Sequence, residues 1–116
     1  MGVARSRGST AEMLAAAYLE LVGCEVTGRN LRLGGVEVDL VAVEGGVRVV
    51  TEVKFRTRSD YGGAALAIDP VKRGRLLRAA RILVAERPGT VRIDVVAIEI
   101  EEQGARVRHY RNAVTE

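Results

Sequence analysis

Two glycine pairs, Gly34-Gly35 and Gly45-Gly46, cut one stretch of this chain into three runs rich in β-branched residues, and nothing else in the sequence limits its folding as much. A Gly-Gly pair between such runs signals a two-residue hairpin, because that turn needs positive φ at both central positions. The runs therefore read as three antiparallel strands, Glu25 to Leu33, Val36 to Glu44 and Val47 to about Thr57. With the glycines at the turn tips, Glu44 faces Val47. Counting back along both strands puts Asp39 opposite Glu52 and Glu37 opposite Lys54. Across the first turn, Asn30 falls opposite Asp39 and Arg32 opposite Glu37. Directly opposed Cβ atoms stand roughly 4.5–5.5 Å apart. Alternation places Glu37, Asp39, Glu52 and Lys54 on one face, with Val41, Val43 and Val50 nearer the turn. Val38, Leu40, Val49, Val53 and Phe55 take the other face, as core.

Helices are expected on either side of these strands. Leu14, Ala17, Tyr18 and Leu21 recur at helical spacing over Ser9 to Val22. Ser9-Thr10-Ala11-Glu12 fits a capping box, and Gly23 a C-terminal stop. Asp69-Pro70 opens a second helix, with Asp as N-cap and Pro at the first helical position; it runs to about Glu86, before Pro88-Gly89. Val91 to Ile100 and Ala105 to Arg111 read as two more strands. The order is α-βββ-α-ββ, an α/β chain with a central mixed sheet flanked by helices. Residues 1–8 are expected to be a flexible basic tail and residues 9–116 a single domain. Thr57 to Ala67, with Gly62-Gly63, is expected to be a mobile loop.

Composition narrows the function classes. No apolar stretch approaches the roughly 20 residues of a membrane span, and no secretory pattern follows Arg5 and Arg7. A single cysteine, Cys24, suits a reducing cytoplasm and a small buried apolar role. From Arg48 to Arg81 nine basic residues stand against three acids, a polyanion footprint or a solvated basic face. Lys72, Arg75 and Arg78 recur every three residues on the second helix. With Arg56 and Arg58 they could line a phosphate-binding rim. One Phe and three Tyr leave little for base stacking. Asp94, near Arg92, reads as structural, and His109 as surface or core packing.

Two opposed carboxylates repel unless something cationic lies between them. Lys54 offsets part of that cost for Asp39 and Glu52. A hard divalent cation offsets more, since Mg²⁺ favours one or two carboxylates plus waters and phosphate. Asn30 could orient Asp39 or touch substrate. The plainer reading is a cross-strand Glu37–Lys54 ion pair on a wet, charged face. Lysine is scarce here, two against sixteen arginines, which favours a specific role for Lys54.

Asp39 followed by Glu52-Val53-Lys54 resembles the PD-(D/E)xK nuclease pattern. More closely, the chain resembles the YraN-like family of small bacterial proteins, which is similar to archaeal Holliday-junction resolvases. The resemblance rests on Glu12, Arg29-Asn30, Gly35-Val36-Glu37-Val38-Asp39-Leu40, Thr51-Glu52-Val53-Lys54-Phe55-Arg56, Gly62, Lys72 and Arg92-Ile93-Asp94-Val95-Val96. It departs at Ala11, where the family has Gly, and by one extra residue between Gly35 and Glu37. It implies a restriction-endonuclease-like fold and metal-dependent phosphodiester hydrolysis. Asp39 and Glu52, with the Val53 carbonyl, would hold Mg²⁺ or Mn²⁺. Lys54 would position water or stabilise the transition state. Glu12 would be a further catalytic acid, or else simply the partner of Ser9 in the capping box.

Three functions follow as expectations. The first is an endonuclease of duplex or branched DNA, acting on junctions as a homodimer, since paired cuts need two sites. The second is a catalytically silent nucleic-acid-binding or assembly module that keeps the fold. The third is an RNase or exonuclease on the same site.

Overall fold

The computed structural model describes residues 7–56 and 68–116. Its elements are α1 (Arg7–Leu21), β1 (Glu25–Leu33), β2 (Val36–Glu44), β3 (Val47–Arg56), α2 (Pro70–Glu86), β4 (Val91–Glu101) and β5 (Gly104–Tyr110). They form one five-stranded sheet in the order β1-β2-β3-β4-β5. Neighbours pair antiparallel except β3 and β4, which run parallel and are joined across α2. The expected α-βββ-α-ββ order and mixed sheet are what the chain adopts.

Local chemistry accounts for the elements. Both Gly-Gly turns carry positive φ at each position, 59° and 81° at Gly34-Gly35, 57° and 82° at Gly45-Gly46. Asp69 Oδ1 accepts the Lys72 N–H at 2.9 Å, with Pro70 opening α2 behind it. α1 ends in a Schellman arrangement, Cys24 N–H to the Leu19 carbonyl at 2.8 Å and Gly23 N–H to that of Glu20 at 3.2 Å. At its other end α1 begins at Arg7, so Ser9 is inside the helix. An N-cap needs a non-helical backbone, so the expected Ser9–Glu12 capping box does not form. Of the expected tail, residues 1–8, the last two belong to α1, which corrects its boundary, while residues 1–6 and the expected loop, residues 57–67, lie outside the described residues.

Each helix covers one face of the sheet. Under α2, Leu76, Ala79 and Leu83 pack on Val36, Val38, Val41, Val50 and Ile93. Under α1, Ala11, Ala15, Ala16 and Leu19 pack on Leu40, Ala42, Val96 and Ile98. Most of the apolar stripe that marks α1 in the sequence is its outer side: Leu14 is 39 % and Leu21 84 % exposed, while Tyr18 packs at the edge of the core. The helix is apolar on both sides, and the alanine side is the one that lets it approach the sheet closely.

A buried polar network ties the C-terminal segment to this frame. Arg92 binds Asp94, with Nε to Oδ1 at 2.8 Å, and Glu44 at 2.6 Å. Asp94, fully buried, also accepts the Asn112 N–H and lies 2.8 Å from His109 Nε2. His109 Nδ1 is 3.0 Å from the Tyr18 hydroxyl. Burial alone would push the Asp94 carboxyl up, but Arg92, the Asn112 amide and His109 together hold it below the usual range. Asp94 is therefore structural, as expected. His109 is a buried link between α1 and β4. Cys24 is a buried free thiol, raised by burial and by the nearby Glu44.

Candidate active site

The site forms where the β2–β3 ladder gives way. Pairing runs from Glu44↔Val47 to Leu40↔Thr51. One residue on, Asp39 Oδ2 accepts the Val53 N–H at 2.8 Å, so an amide of β3 bonds to a side chain of β2. The direct Asp39–Glu52 and Glu37–Lys54 cross-strand pairing read from uninterrupted alternation is corrected accordingly. Alternation also slips: Val38 packs beneath α2 but Leu40 beneath α1, although strict alternation puts both on one face. The slip coincides with Asn30 in the neighbouring β1, which has a left-handed φ of 50°. In the first hairpin Arg32 does fall opposite Glu37. The outcome is that Asp39 sits between the α1 side and the α2 side of the sheet and faces charges from both.

On the α1 side, Glu12 approaches Asp39. Burial, then the Asp39 charge and a hydrogen bond with Asp39, push the Glu12 carboxyl above its ordinary value, while a hydrogen bond with Asn30 pulls it back. Asn30 thus acts on Glu12. Arg29, Asn30 and Glu12 line one small recess of ≈ 130 Å³.

On the α2 side stands Glu52, its side chain 8 % exposed. Burial first, then the Asp39 charge, raise its carboxyl above the usual range, against the pull of Lys72 and Lys54. Lys72 Nζ lies 3.4 Å and Lys54 Nζ 3.9 Å from the same Glu52 Oε2. Both lysines of the chain therefore converge on one carboxylate oxygen. Lys72 is part of this cluster as well as of the α2 basic face, and the scarcity of lysine in the sequence was the signal for it. The other oxygen, Glu52 Oε1, is buried with no hydrogen-bond partner.

The remaining residues named from sequence divide. Arg75 and Arg78 share a groove with Asp39, Glu37, Lys72 and Arg32. Arg32 had no assigned role in the sequence, because only the tertiary fold brings its strand to α2. Arg56 does not line this groove; it is half-buried, and its Nη1 donates to the Phe55 carbonyl at 3.2 Å. Arg58 lies outside the described residues.

The donor set suits a hard divalent cation. Asp39 and Glu52 are two carboxylates, enough for Mg²⁺, which keeps several waters. An orphaned buried carboxylate oxygen held above its normal pKa is the kind of group a cation satisfies. Among the described residues no cluster of three His, Cys, Asp or Glu side chains is placed to cage a metal, so protein ligation stops at few groups.

Comparison with known proteins places the fold and the family. The fold is similar to the crystal structure of a repair endonuclease from Pyrococcus abyssi, with a TM-score of 0.54 and 26 % identity over 81 % of this chain. The chain spans 39 % of that endonuclease's length. The architecture is thus restriction-endonuclease-like. A UPF0102 protein of Halorhodospira halophila is 44 % identical over 112 residues, covering 97 % of this chain and 89 % of its own length. One from Mycolicibacterium vanbaalenii is 43 % identical over 96 residues, 80 % of this chain and 79 % of its own length. Every residue gathered here around Asp39 and Glu52 falls within residues 11–98, which match the uncharacterised protein family UPF0102, and the chain belongs to that family.

Proposed function

We propose that this chain is a divalent-metal-dependent endonuclease that hydrolyses phosphodiester bonds of DNA, branched DNA included. The observation that carries this reading is the buried Glu52 beside Asp39, with one oxygen facing two lysines and the other unsatisfied. Asp39 and Glu52, with the Val53 carbonyl, would hold Mg²⁺ or Mn²⁺. A divalent ion held there would supply a water of lowered pKa and offset phosphate charge.

This chain's own residues supply the rest. The Val53 N–H holds the Asp39 carboxylate in one orientation. Lys54, partly exposed, keeps a cation at the cleft where charge develops on the phosphate. Glu12, with its raised carboxyl, is suited to hold or release a proton near Asp39. Lys72 neutralises Glu52 from α2 and fixes its position. The likeness to a repair endonuclease supports nuclease chemistry. Paired cuts in a four-way junction would take two copies of the chain. The buried free Cys24 fits a cytoplasmic protein, and no helix among the described residues is long and apolar enough to cross a membrane.

The test is cleavage of labelled linear, flapped and four-way DNA, and of RNA, with Mg²⁺, Mn²⁺ or EDTA, beside Asp39→Asn prepared identically. Metal-dependent internal cuts in DNA made only by the wild type are expected. Cleavage confined to RNA or to strand ends would move the assignment to an RNase or an exonuclease. Binding that survives Asp39→Asn, with no product from the wild type at any metal concentration, would replace the enzyme with a binding module.

A further inference from the structure

A polar groove of ≈ 410 Å³ opens beside Asp39, lined by Arg32, Gly35, Val36, Glu37, Lys72, Arg75 and Arg78 as well as Asp39 itself. Four cations face two acids there. One wall is the β1–β2 hairpin, the other the exposed face of α2. Their spacing is set by close packing: a Cβ added at Gly34 would lie 2.8 Å from Ile82 Cγ1 and 3.6 Å from Arg78 Nε. The hairpin tip is therefore seated on α2, and Arg32 is braced by its bond to the Gly35 carbonyl at 3.3 Å.

The arginines of α2 fall into two groups. Arg81 pairs with Glu116 and Arg73 donates to the Thr115 carbonyl, so both are committed to the C-terminal segment. Arg75 and Arg78 are exposed and have no ion pair among the described residues. From Lys72 to Arg78 the helix rises about 9 Å at 1.5 Å per residue. One DNA strand carries a phosphate per roughly 3.4 Å of helix axis, so this row matches about two or three phosphates. No aromatic side chain lines the groove, so it offers charge for a backbone and nothing for base stacking.

We propose that Arg32, Arg75 and Arg78 form a phosphate-tracking groove that holds the DNA strand flanking the scissile position, on the α2 side and without regard to sequence. The inference rests on the nuclease reading only for where the scissile phosphate lies; the groove's affinity for a DNA backbone is independent of turnover.

The experiment measures binding of a labelled mixed-sequence DNA duplex in EDTA across a salt series. Each lost phosphate contact reduces the slope of log affinity against log salt by about 0.9. R32A/R75A/R78A is expected to lose about 2.7 in slope. R32K/R75K/R78K should keep the slope, and R81A/R87A/R106A, which loses the same charge outside the groove, should keep it too. If the triple alanine variant does not fold, each single variant carries the same test at about 0.9. An unchanged slope in the groove variant, or an equal fall in the control variant, overturns the proposal. Wild-type cleavage together with an unchanged groove slope would keep the nuclease and remove the groove. No cleavage, with the expected fall in slope, would keep the groove and remove the nuclease.

Discussion

Glu52 and Lys54 carry opposite demands at this site. Because burial and Asp39 raise the Glu52 carboxyl, its contribution to stability is present below the ordinary carboxylate range and lost as pH rises through the raised value. Even with both lysines beside it, ionised Glu52 therefore opposes folding until a divalent cation joins it. Glu52→Gln is expected to match or exceed the wild type in thermal stability in EDTA at neutral pH. Mg²⁺ should stabilise only the wild type, by about 2.7 kcal/mol at a hundredfold excess over its Kd. A melting series with and without Mg²⁺ checks both, and equal Mg²⁺ responses would place the ion elsewhere. Lys54→Ala should abolish cleavage while costing no more than about 1 kcal/mol of stability, since Lys72 remains the nearer partner of Glu52. DNA affinity should stay close to the wild type. Loss of folding would make Lys54 structural.

The β1–β2 hairpin is the element that joins fold to site. It carries Arg32, it packs on α2, and its strand β2 delivers Asp39. Gly34 and Gly35 both hold positive φ, but only Gly34 meets a neighbour, Ile82. Gly35→Ala is expected to cost about 1–2 kcal/mol for the left-handed backbone alone. Gly34→Ala should cost at least about 1 kcal/mol more, because the new methyl overpacks the hairpin against α2. Chemical denaturation of the two variants tests the difference, and equal losses would show that the hairpin does not rest on α2. Both glycine pairs, and hence the strand ends that flank them, were readable in the sequence, because a two-residue turn imposes its own backbone requirement. The faces of β2 were not. Alternation assumes an unbroken ladder, and the left-handed Asn30 with the Asp39–Val53 bond breaks it.

Across the whole molecule, the C-terminal segment is held by charge. Arg111 and Arg92 both bind Glu44 and hold its carboxyl down at about 2. Asn112 docks on Asp94, and Val114 is buried under α2. A depressed folded-state carboxyl adds stability above its unfolded value of 4.5, and that stability is lost as pH falls toward 2. The unfolding midpoint should therefore fall between pH 4.5 and about 2. Glu44→Gln should flatten that fall and lower stability at neutral pH, as a melting series against pH would show. An unchanged profile would mean that other carboxylates, Asp94 among them, govern acid unfolding.

Local rules were enough for what depends on neighbours in the chain. Turn glycines, the Asp69-Pro70 helix start and β-branched runs determined the elements, their order and the register near each turn. The spacing of Asp39 from Glu52-Val53-Lys54 pointed to residues that meet in the candidate site, because a short hairpin brings its two strands together whatever surrounds them. Tertiary structure decided the rest. It chose the alanine side of α1 as the buried one, since close approach of a helix to a sheet is a property of the pair. It brought Lys72 of α2 to Glu52, Glu12 of α1 to Asp39, and His109 of β5 to Asp94. Those contacts join residues far apart in sequence, and the electrostatics of the site follow from burial, which exists only once both helices have closed on the sheet.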